Sequence, residues 1–390
     1  MNKENKNIWI MAGETSGDRY GARLYEELIK LNPGLTVSGM GGKAMKEAGV
    51  TINVDSTELG VVGLIEVLKH IGTFIKIFKS LVKKAEEEKP DAVILIDNPG
   101  FNLRFAKQMH KRGIRVIWYV SPQVWAWGKK RIPKLAEYCT KMLVIFPFEV
   151  EVYGETSLDV EFVGHPLVDF IRKKMQPNIT LDPNDILLLP GSRFSEINRN
   201  LKVMLGTVSI LKEKHPNLNF KLSAARPKIE KQIKEIIDEY KAENSHCPEI
   251  EIFPQEKNTE YMQKCGTGIA TSGTITVECA IVGIPIVSFN ILHPFTFFLA
   301  AHFLVKKLFR GFFVMPNIIS NKLIYEEFLQ NQSPLEGKMA DAMERILPQN
   351  GERRQEVLKE INDIAENKLT YGKENASKNA ALAVLRTLDN

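Results

Sequence analysis

One acidic residue stands where a catalytic base would be expected. Asp97 directly follows the apolar run Ala92–Ile96, which has the pattern of a buried parallel strand. In open parallel sheets, ligands bind beyond the carboxyl ends of the strands, and a carboxylate there can act as a general base toward a sugar hydroxyl. The alternative is that Asp97 caps the following helix or holds a loop amide. No second acid stands nearby at D-x-D spacing, which argues against a metal-bound nucleotide site.

A second polar motif follows the first apolar run and reads GETSGDRYG. Its glycines allow a ligand to approach the backbone closely, and the free N–H groups of a helix beginning there attract anions. The spacing is not G-x-G-x-x-G, so the motif is not a dinucleotide fingerprint. The alternative is a plain strand-to-helix turn capped by Ser16 or Asp18.

The second half of the chain repeats this arrangement at Pro190-Gly191-Ser192-Arg193. Arg193 would stand at a helix N-terminus, where its planar guanidinium and the backbone amides could hold a pyrophosphate. A Pro-Gly turn carrying a surface arginine is the alternative.

A related motif begins at Ser272-Gly273-Thr274 and would open another helix toward phosphate. Glu278 lies four residues after Thr274, on the same helical face, and could accept hydrogen bonds from both hydroxyls of a ribose. The alternative is a capping box with an incidental glutamate.

The segment Ser121–Arg131 combines two tryptophans, Trp125 and Trp127, with three consecutive cations. After a strand, such a segment suits an amphiphilic or phosphorylated ligand, although both indoles could equally be half-buried core aromatics. His165, a lone histidine between Gly164 and Pro166, is interpreted as structural.

Composition limits the class of protein. The chain has 390 residues, of which 44% are hydrophobic and 25% charged, as expected for two α/β domains. A net charge of +5 fits anionic partners but is too small to argue for nucleic acid. The four scattered cysteines indicate reduced thiols in a cytoplasmic protein, without a disulfide framework or zinc site. We find no signal-length apolar stretch at the N-terminus and no run of the roughly 18 apolar residues that span a bilayer.

Short apolar runs alternate with helical patterns in both halves of the chain. This rhythm predicts two Rossmann-like, doubly wound α/β domains facing a central cleft. We place the first domain at 1–172 and the second at 173–345, followed by a helical tail at 346–390 that is interrupted at Pro348–Gly351.

The segment 291–315 differs from the rest, with seven phenylalanines and the cations Lys306, Lys307 and Arg310 near its end. A helix of this kind could bury an apolar face in lipid while its cations meet headgroups. A core helix, or a surface that packs on another subunit, is the alternative.

Together these motifs resemble the lipid-A-disaccharide synthase family, bacterial glycosyltransferases of the GT-B fold. The resemblance covers roughly residues 8 to 320. The matching pieces, in family order, are AGETSGD at Ala12–Asp18, VGLIEVL at Val62–Leu68, IDNPGFN at Ile96–Asn102, YVSPQVWAW at Tyr119–Trp127, FPFE at Phe146–Glu149, VGHPL at Val163–Leu167, LLPGSR at Leu188–Arg193, SGTITVE at Ser272–Glu278 and MPN at Met315–Asn317. The chain departs from the family at Gly100, where relatives often carry Asp after the proline.

The resemblance implies transfer from UDP-2,3-diacylglucosamine to 2,3-diacylglucosamine 1-phosphate (lipid X), with inversion at the anomeric carbon and no metal or other cofactor. It implies the catalytic residues Asp97 and Arg193. It implies that the nucleotide sugar is bound by Gly191, Ser192, Ser272, Gly273, Thr274, Glu278 and Asn317, and that the acceptor or its phosphate is bound by Gly13, Glu14, Ser16, Gly17, Gln123 and Trp125.

The expected location is the cytoplasmic face of an anionic inner membrane, with peripheral attachment, no nucleic-acid partner and an oligomer possible. Two alternatives stay open from the sequence. One is a UDP-sugar epimerase or hydrolase of the same fold, and the other is a non-catalytic lipid-binding protein at the membrane surface.

Overall fold

The computed structural model describes residues 6–56, 64–126, 128–292, 311–372 and 375–389, with the backbone alone for 64–71 and 73. The chain forms two compact units. Unit 1 comprises Met1–Pro166 and Leu369–Asn390, and unit 2 comprises Leu167–Lys368. Each unit is an α/β domain built on a parallel sheet.

The sheet of unit 1 has seven strands in the order β3-β2-β1-β4-β5-β6-β7. They are β1 Asn7–Ala12, β2 Thr36–Gly41, β3 Thr51–Asp55, β4 Ala92–Ile96, β5 Arg115–Tyr119, β6 Lys141–Val144 and β7 Asp159–Phe162. All five residues of β4 are fully buried, as expected for a parallel strand covered on both faces. The strand order reverses between β1 and β4, where Ala12 pairs with Ile96, so the carboxyl ends of these strands form a topological switch point.

Helices connect these strands. They are α1 Thr15–Leu31, α2 Lys43–Ala48, α3 Leu64–Glu88, α4 Pro99–His110, α5 Ile132–Tyr138 and α6 Glu149–Val152. In α1, Leu24 and Leu28 are fully buried four residues apart. The helix ends at Leu31, with Asn32 as its C-cap before Pro33.

Unit 2 has six strands in the order β10-β9-β8-β11-β12-β13, again with a reversal between its two central strands. The strands are β8 Asp182–Leu189, β9 Asn219–Ala224, β10 Ile250–Pro254, β11 Cys265–Thr271, β12 Ile286–Asn290 and β13 Glu327–Leu329. The helices are α7 Pro166–Lys174, α8 Phe194–Lys214, α9 Pro227–Glu243, α10 Asn258–Lys264, α11 Thr274–Val282, α12 Met315–Ser320, α13 Leu335–Ile346 and α14 Glu352–Asp363.

The last helix, α15 (Ala376–Asp389), belongs to unit 1 and packs against α1. Its buried side includes Ala380, Val384 and Leu388, and the amide of Asn379 donates to the carbonyl of Val163 at 3.1 Å. The chain therefore returns to the first unit at its end.

These divisions differ from the sequence-based boundaries. The units separate at Pro166 and Leu167 instead of after residue 172, and the predicted tail 346–390 is shared between them. The tail is divided because the apolar face of α15 packs on α1 of unit 1, a contact that only the tertiary structure shows. The short outer strands β3 and β13 are not continuous apolar runs, so apolar patterning alone does not predict them.

Candidate active site

A cavity of about 320 Å³ lies at the carboxyl ends of the strands in unit 2. Four successive strand-to-helix turns contribute to its wall. Six of the residues predicted to bind the nucleotide sugar line it, namely Gly191, Ser192, Ser272, Gly273, Thr274 and Glu278, as does Arg193. All seven lie in the turns that follow the central strands β8 and β11 or in the helix α11 that the second turn begins.

Glycine is required by the backbone in both central turns. Gly191 has φ +105° and Gly273 has φ +141°, a region that side chains with a Cβ rarely adopt. The two turns lead into α8 and α11, whose first backbone N–H groups have no side-chain cap. Such helix N-termini attract anions, so the wall of this cavity suits a phosphate or pyrophosphate.

Arg193 occupies the N-cap position of α8, and its side chain is 79% exposed. Its Nη1 lies 2.9 Å from Oε1 of Glu196. Exposed ion pairs of this kind contribute about 0–1 kcal/mol. The pair therefore leaves the guanidinium free to turn toward an anion in the cavity.

Ser272 is held by neighbouring strand β12. Its N–H donates to the carbonyl of Phe289 at 3.1 Å, and its hydroxyl accepts from the amide of Asn290 at 2.7 Å. Glu278 and Thr274 both line the cavity from α11, as the four-residue spacing predicts.

Sequence reasoning missed three polar residues of the same wall, Ser223, Gln255 and Asn258. The hydroxyl of Ser223 donates to Oδ1 of Asn258 at 2.6 Å, and both side chains are buried. Ser223 lies near the carboxyl end of β9, and Gln255 and Asn258 follow β10. The rule that ligands bind at the carboxyl ends of strands could therefore have found all three.

Asn317 is placed differently from its expected role. It is fully buried, its Nδ2 donates to the carbonyl of Tyr325 at 2.8 Å and to Glu327 at 3.0 Å, and its Oδ1 accepts from Ile324 and Tyr325. It is not among the residues that line the cavity. This geometry gives Asn317 a structural role in joining α12 to β13.

In unit 1, Asp97 directly follows β4 at the switch point. Burial, and after it the negative charge of Glu14, raise the pKa of Asp97 above its usual range. The helix α4 begins with Asn98 at its N-cap, so Asp97 is not the cap of that helix. A half-buried carboxylate with a raised pKa is suited to proton transfer.

The backbone beside Asp97 is strained. Asp97, Asn98 and Val120 have φ of +48°, +42° and +66°, respectively. Positive φ is an outlier for a β-branched residue such as Val120. All three follow the adjacent central strands β4 and β5, and such strain concentrates at active sites. The buried amide of Asn102 supports this turn by donating to the carbonyls of Ile96 and Asp97, at 3.1 and 2.8 Å.

The predicted phosphate motif lies at the end of neighbouring strand β1. A Cβ at Gly13 would be 2.0 Å from Nδ2 of Asn98, so glycine allows the two turns to approach closely. Glu14 is the N-cap residue of α1 without a side-chain cap, Ser16 is exposed, and Gly17 is buried.

Asp18, in the same motif, has a different role from the α1 cap considered above. Its buried carboxylate accepts hydrogen bonds from the N–H groups of Gly42, Ala44 and Met45, at 2.7–3.1 Å. It therefore caps the neighbouring helix α2.

The tryptophan-containing segment combines an exposed and a buried part. Gln123 is exposed, whereas Trp125 is 5% exposed and packs edge-on against Phe148 with ring centroids 5.4 Å apart. The structure thus favours a packing role for Trp125 instead of the predicted acceptor contact. Trp127 lies outside the described residues.

His165 is buried, and burial lowers its pKa to about 3, which fits a structural residue. The described part of the chain holds no cluster of three or more His, Cys, Asp or Glu side chains that could bind a metal ion. Within that same part, no helix has both the length and the apolar character needed to span a membrane.

Comparison with known sequences decides the family. A family model described as lipid-A-disaccharide synthetase matches residues 8–384. The chain belongs to this family. The lipid-A-disaccharide synthase of Geobacter metallireducens is 36% identical over 341 residues, covering 85% of each chain. That of Coxiella burnetii is 34% identical over 388 residues, covering 97% of this chain and 98% of the relative.

Solved structures support the fold of this lipid-A-disaccharide synthetase family member. UDP-GlcNAc 2-epimerase from Neisseria meningitidis, bound to UDP-GlcNAc, matches with a TM-score of 0.59 at 14% identity, over 98% of this chain and 100% of that one. MurG from Acinetobacter baumannii matches with a TM-score of 0.58 at 15% identity, over 98% and 99%. At these identities the likeness concerns the fold, which is GT-B, as predicted.

Proposed function

We propose that this chain uses the cavity of unit 2 for the nucleotide sugar and the switch point of unit 1 for the acceptor. Family membership makes it a hexosyltransferase that joins UDP-2,3-diacylglucosamine to lipid X. The products are the β-1,6-linked disaccharide 1-phosphate and UDP. The observation that carries the site assignment is the gathering of Arg193 and six predicted nucleotide-sugar residues around one cavity.

The donor half of the reaction needs stabilisation of departing UDP. Arg193 and the N-termini of α8 and α11 would bind its pyrophosphate and the negative charge that develops on it. Glu278 would accept hydrogen bonds from the ribose hydroxyls. No divalent metal is needed for these roles, because the guanidinium and helix dipoles supply the positive charge.

The acceptor half needs removal of a proton from the 6-hydroxyl of lipid X. Asp97 would accept this proton as the hydroxyl attacks the anomeric carbon, which inverts its configuration. The raised pKa makes Asp97 a stronger base than an exposed carboxylate.

The phosphate of lipid X would lie near the N-terminus of α1. The first N–H groups of α1, which include those of Ser16 and Gly17, have no side-chain cap, and Gly13 would let the phosphate approach the backbone closely. Gln123, which is exposed after β5, would donate a further hydrogen bond. Glu14 would act through its effect on Asp97.

Both substrates carry acyl chains, so we place the working enzyme peripherally at the cytoplasmic face of an anionic membrane. The phenylalanine-rich segment 291–315 and its cations would make this contact. Residues 293–310 of that segment lie outside the described residues.

The decisive experiment is incubation of the purified chain with UDP-2,3-diacylglucosamine and lipid X, followed by mass spectrometry. We expect the tetraacyl disaccharide 1-phosphate and an equal amount of UDP. Release of UDP without disaccharide would indicate a hydrolase. Turnover of a water-soluble UDP-sugar without lipid X would indicate an epimerase or hydrolase.

A further inference from the structure

A buried polar cluster lies under the segment that follows β5. It consists of Ser121 and Trp125 from that segment, and Glu149 and Tyr153 from α6 and the residue after it. All four side chains are buried. The proposed function uses none of them, although the sequence resemblance had implied that Trp125 contacts the acceptor. We call this group the anchor cluster.

Glu149 is the centre of the anchor cluster and is 1% exposed. Its Oε2 accepts the N–H of Phe146 at 3.1 Å, which closes the turn that begins α6. The side chains of Trp125 and Ser121 also interact with this carboxyl group. One buried residue therefore contacts both the turn after β6 and the segment after β5.

Two further contacts tie the same elements together. The hydroxyl groups of Ser121 and Tyr153 lie 2.8 Å apart in a buried hydrogen bond. The ring of Trp125 packs edge-on against that of Phe148, one residue before Glu149. Contacts with α6 and its neighbouring residues therefore hold the segment 121–126 near its start, at Ser121, and near its end, at Trp125.

The position of this segment makes its fixation relevant to the reaction. It begins after Val120, whose positive φ turns the chain at the end of β5. The N–H of Asp97 points to the carbonyl of Tyr119, at 3.4 Å, so the two turns share this sheet edge. Gln123 is exposed between the two buried anchors Ser121 and Trp125.

We propose that Glu149 is a positioning residue for the acceptor. It holds the segment 121–126 so that Gln123 contacts the phosphate of lipid X, the same molecule whose 6-hydroxyl Asp97 deprotonates. This inference rests on the proposed function, since it takes lipid X as the occupant of this sheet edge. Glu149 itself would touch no substrate.

The electrostatics of the cluster agree with this role. Burial raises the pKa of Glu149 to about 8, so the carboxyl group is mostly neutral at pH 7. A neutral carboxyl can remain in a closed apolar environment and still accept the N–H of Phe146. Glutamine has the size of the neutral Glu149 side chain and is also uncharged, so Glu149→Gln is a conservative replacement.

The test compares four variants with the parent enzyme by steady-state kinetics with each substrate varied in turn. Glu149→Ala removes the carboxyl group at the centre of the anchor cluster, and Glu149→Gln keeps the shape of the side chain. Tyr153→Phe removes only the hydrogen bond to Ser121. Lys141→Met is the matched control. It breaks the ion pairs of buried Lys141 with exposed Asp159 and half-buried Glu161, at the opposite, amino-terminal end of β6.

We expect Glu149→Ala to raise the KM for lipid X on the order of tenfold or more, because small displacements of a positioning group have large kinetic effects. The KM for the UDP-sugar should stay unchanged. Glu149→Gln should restore the parental KM, and Tyr153→Phe should show a smaller increase for lipid X alone. Lys141→Met should lower the melting temperature without changing either KM.

Hydrogen exchange at the amides of Val124 and Ala126 gives a readout that does not depend on activity. We expect faster exchange there in Glu149→Ala and Tyr153→Phe but not in Lys141→Met. An unchanged KM for lipid X in folded Glu149→Ala would overturn the proposal. If that variant does not fold, an unchanged KM and unchanged exchange in Tyr153→Phe would do the same. Absence of disaccharide with the parent enzyme would instead contradict the proposed function, and the inference would fall with it.

Discussion

Glu14 and Asp97 follow the neighbouring strands β1 and β4, and burial together with the negative charge of Glu14 raises the pKa of Asp97. Two acids at the switch point of a parallel sheet are thus electrostatically coupled. The raised pKa makes Asp97 a stronger base than an ordinary exposed carboxylate.

Asp97→Asn should fold normally and lose about 10²–10⁴-fold in kcat, the usual contribution of a positioned base. Asparagine tolerates the positive φ at this position, so the turn should be retained. The pKa of Asp97 is raised, so its buried negative charge destabilises the folded protein at pH values above that pKa. Asparagine carries no charge, and the melting temperature of the variant at pH 7 should therefore not fall. Near-parental turnover would place the base elsewhere.

Glu14→Gln should shift the acid limb of the pH profile of kcat/KM toward lower pH. Removing the negative charge lowers the pKa of Asp97, so the base stays ionised in more acidic solution. The measurement is a pH-rate profile at saturating UDP-sugar, with Ser16→Ala as a control from the same turn. An unchanged acid limb would mean that Asp97 does not control it.

Arg193→Ala should lose about 10²–10³-fold in rate, the range for removal of one donor that stabilises developing charge. Arg193→Lys should lose less of the rate than Arg193→Ala, since lysine keeps the positive charge but not the planar guanidinium group. Glu196→Gln, which breaks the exposed ion pair, should leave stability nearly unchanged. Neither EDTA nor added Mg²⁺ should alter the parent enzyme, and loss in EDTA that a divalent ion restores would refute metal-free catalysis.

Glu278→Ala should weaken UDP binding by about 1.5–3 kcal/mol, the contribution of a hydrogen bond to a charged group. Calorimetric titration with UDP measures this directly, and the KM for lipid X should stay the same. Glu278→Gln retains an acceptor oxygen and should show a smaller loss. Equal UDP affinity in Glu278→Ala and the parent would move the ribose site away from α11.

The protein should co-sediment with anionic vesicles, and high salt should weaken this only partly. Cations near such a surface contribute about 1 kcal/mol each and are screened, whereas apolar insertion is not. Replacing Phe297, Phe298 and Phe303 with Ser should abolish sedimentation and lower activity on long-chain substrates. Should the folded variant sediment like the parent, the segment is a core or subunit contact instead.

The sequence by itself determined the class of fold and indicated most of the residues that line the cavity of unit 2. Buried parallel strands are continuous apolar runs, so β4 was placed at its exact bounds, and polar residues after such runs must lie at strand ends. Local motifs also indicate local geometry, since the glycines of the two phosphate motifs in unit 2, Gly191 and Gly273, both have positive φ in the structure.

Only the tertiary structure decided which of the motif residues are available to a ligand. Trp125 and Asn317 are buried by contacts with Phe148 and with the 324–327 segment, and neither partner is apparent from spacing along the chain. The role of Asp18 as a cap of α2, the return of α15 to unit 1, and the coupling of Glu14 to Asp97 are likewise non-local. Burial, and therefore each shifted pKa, depends on residues distant in sequence, and these come together only when the sheets form.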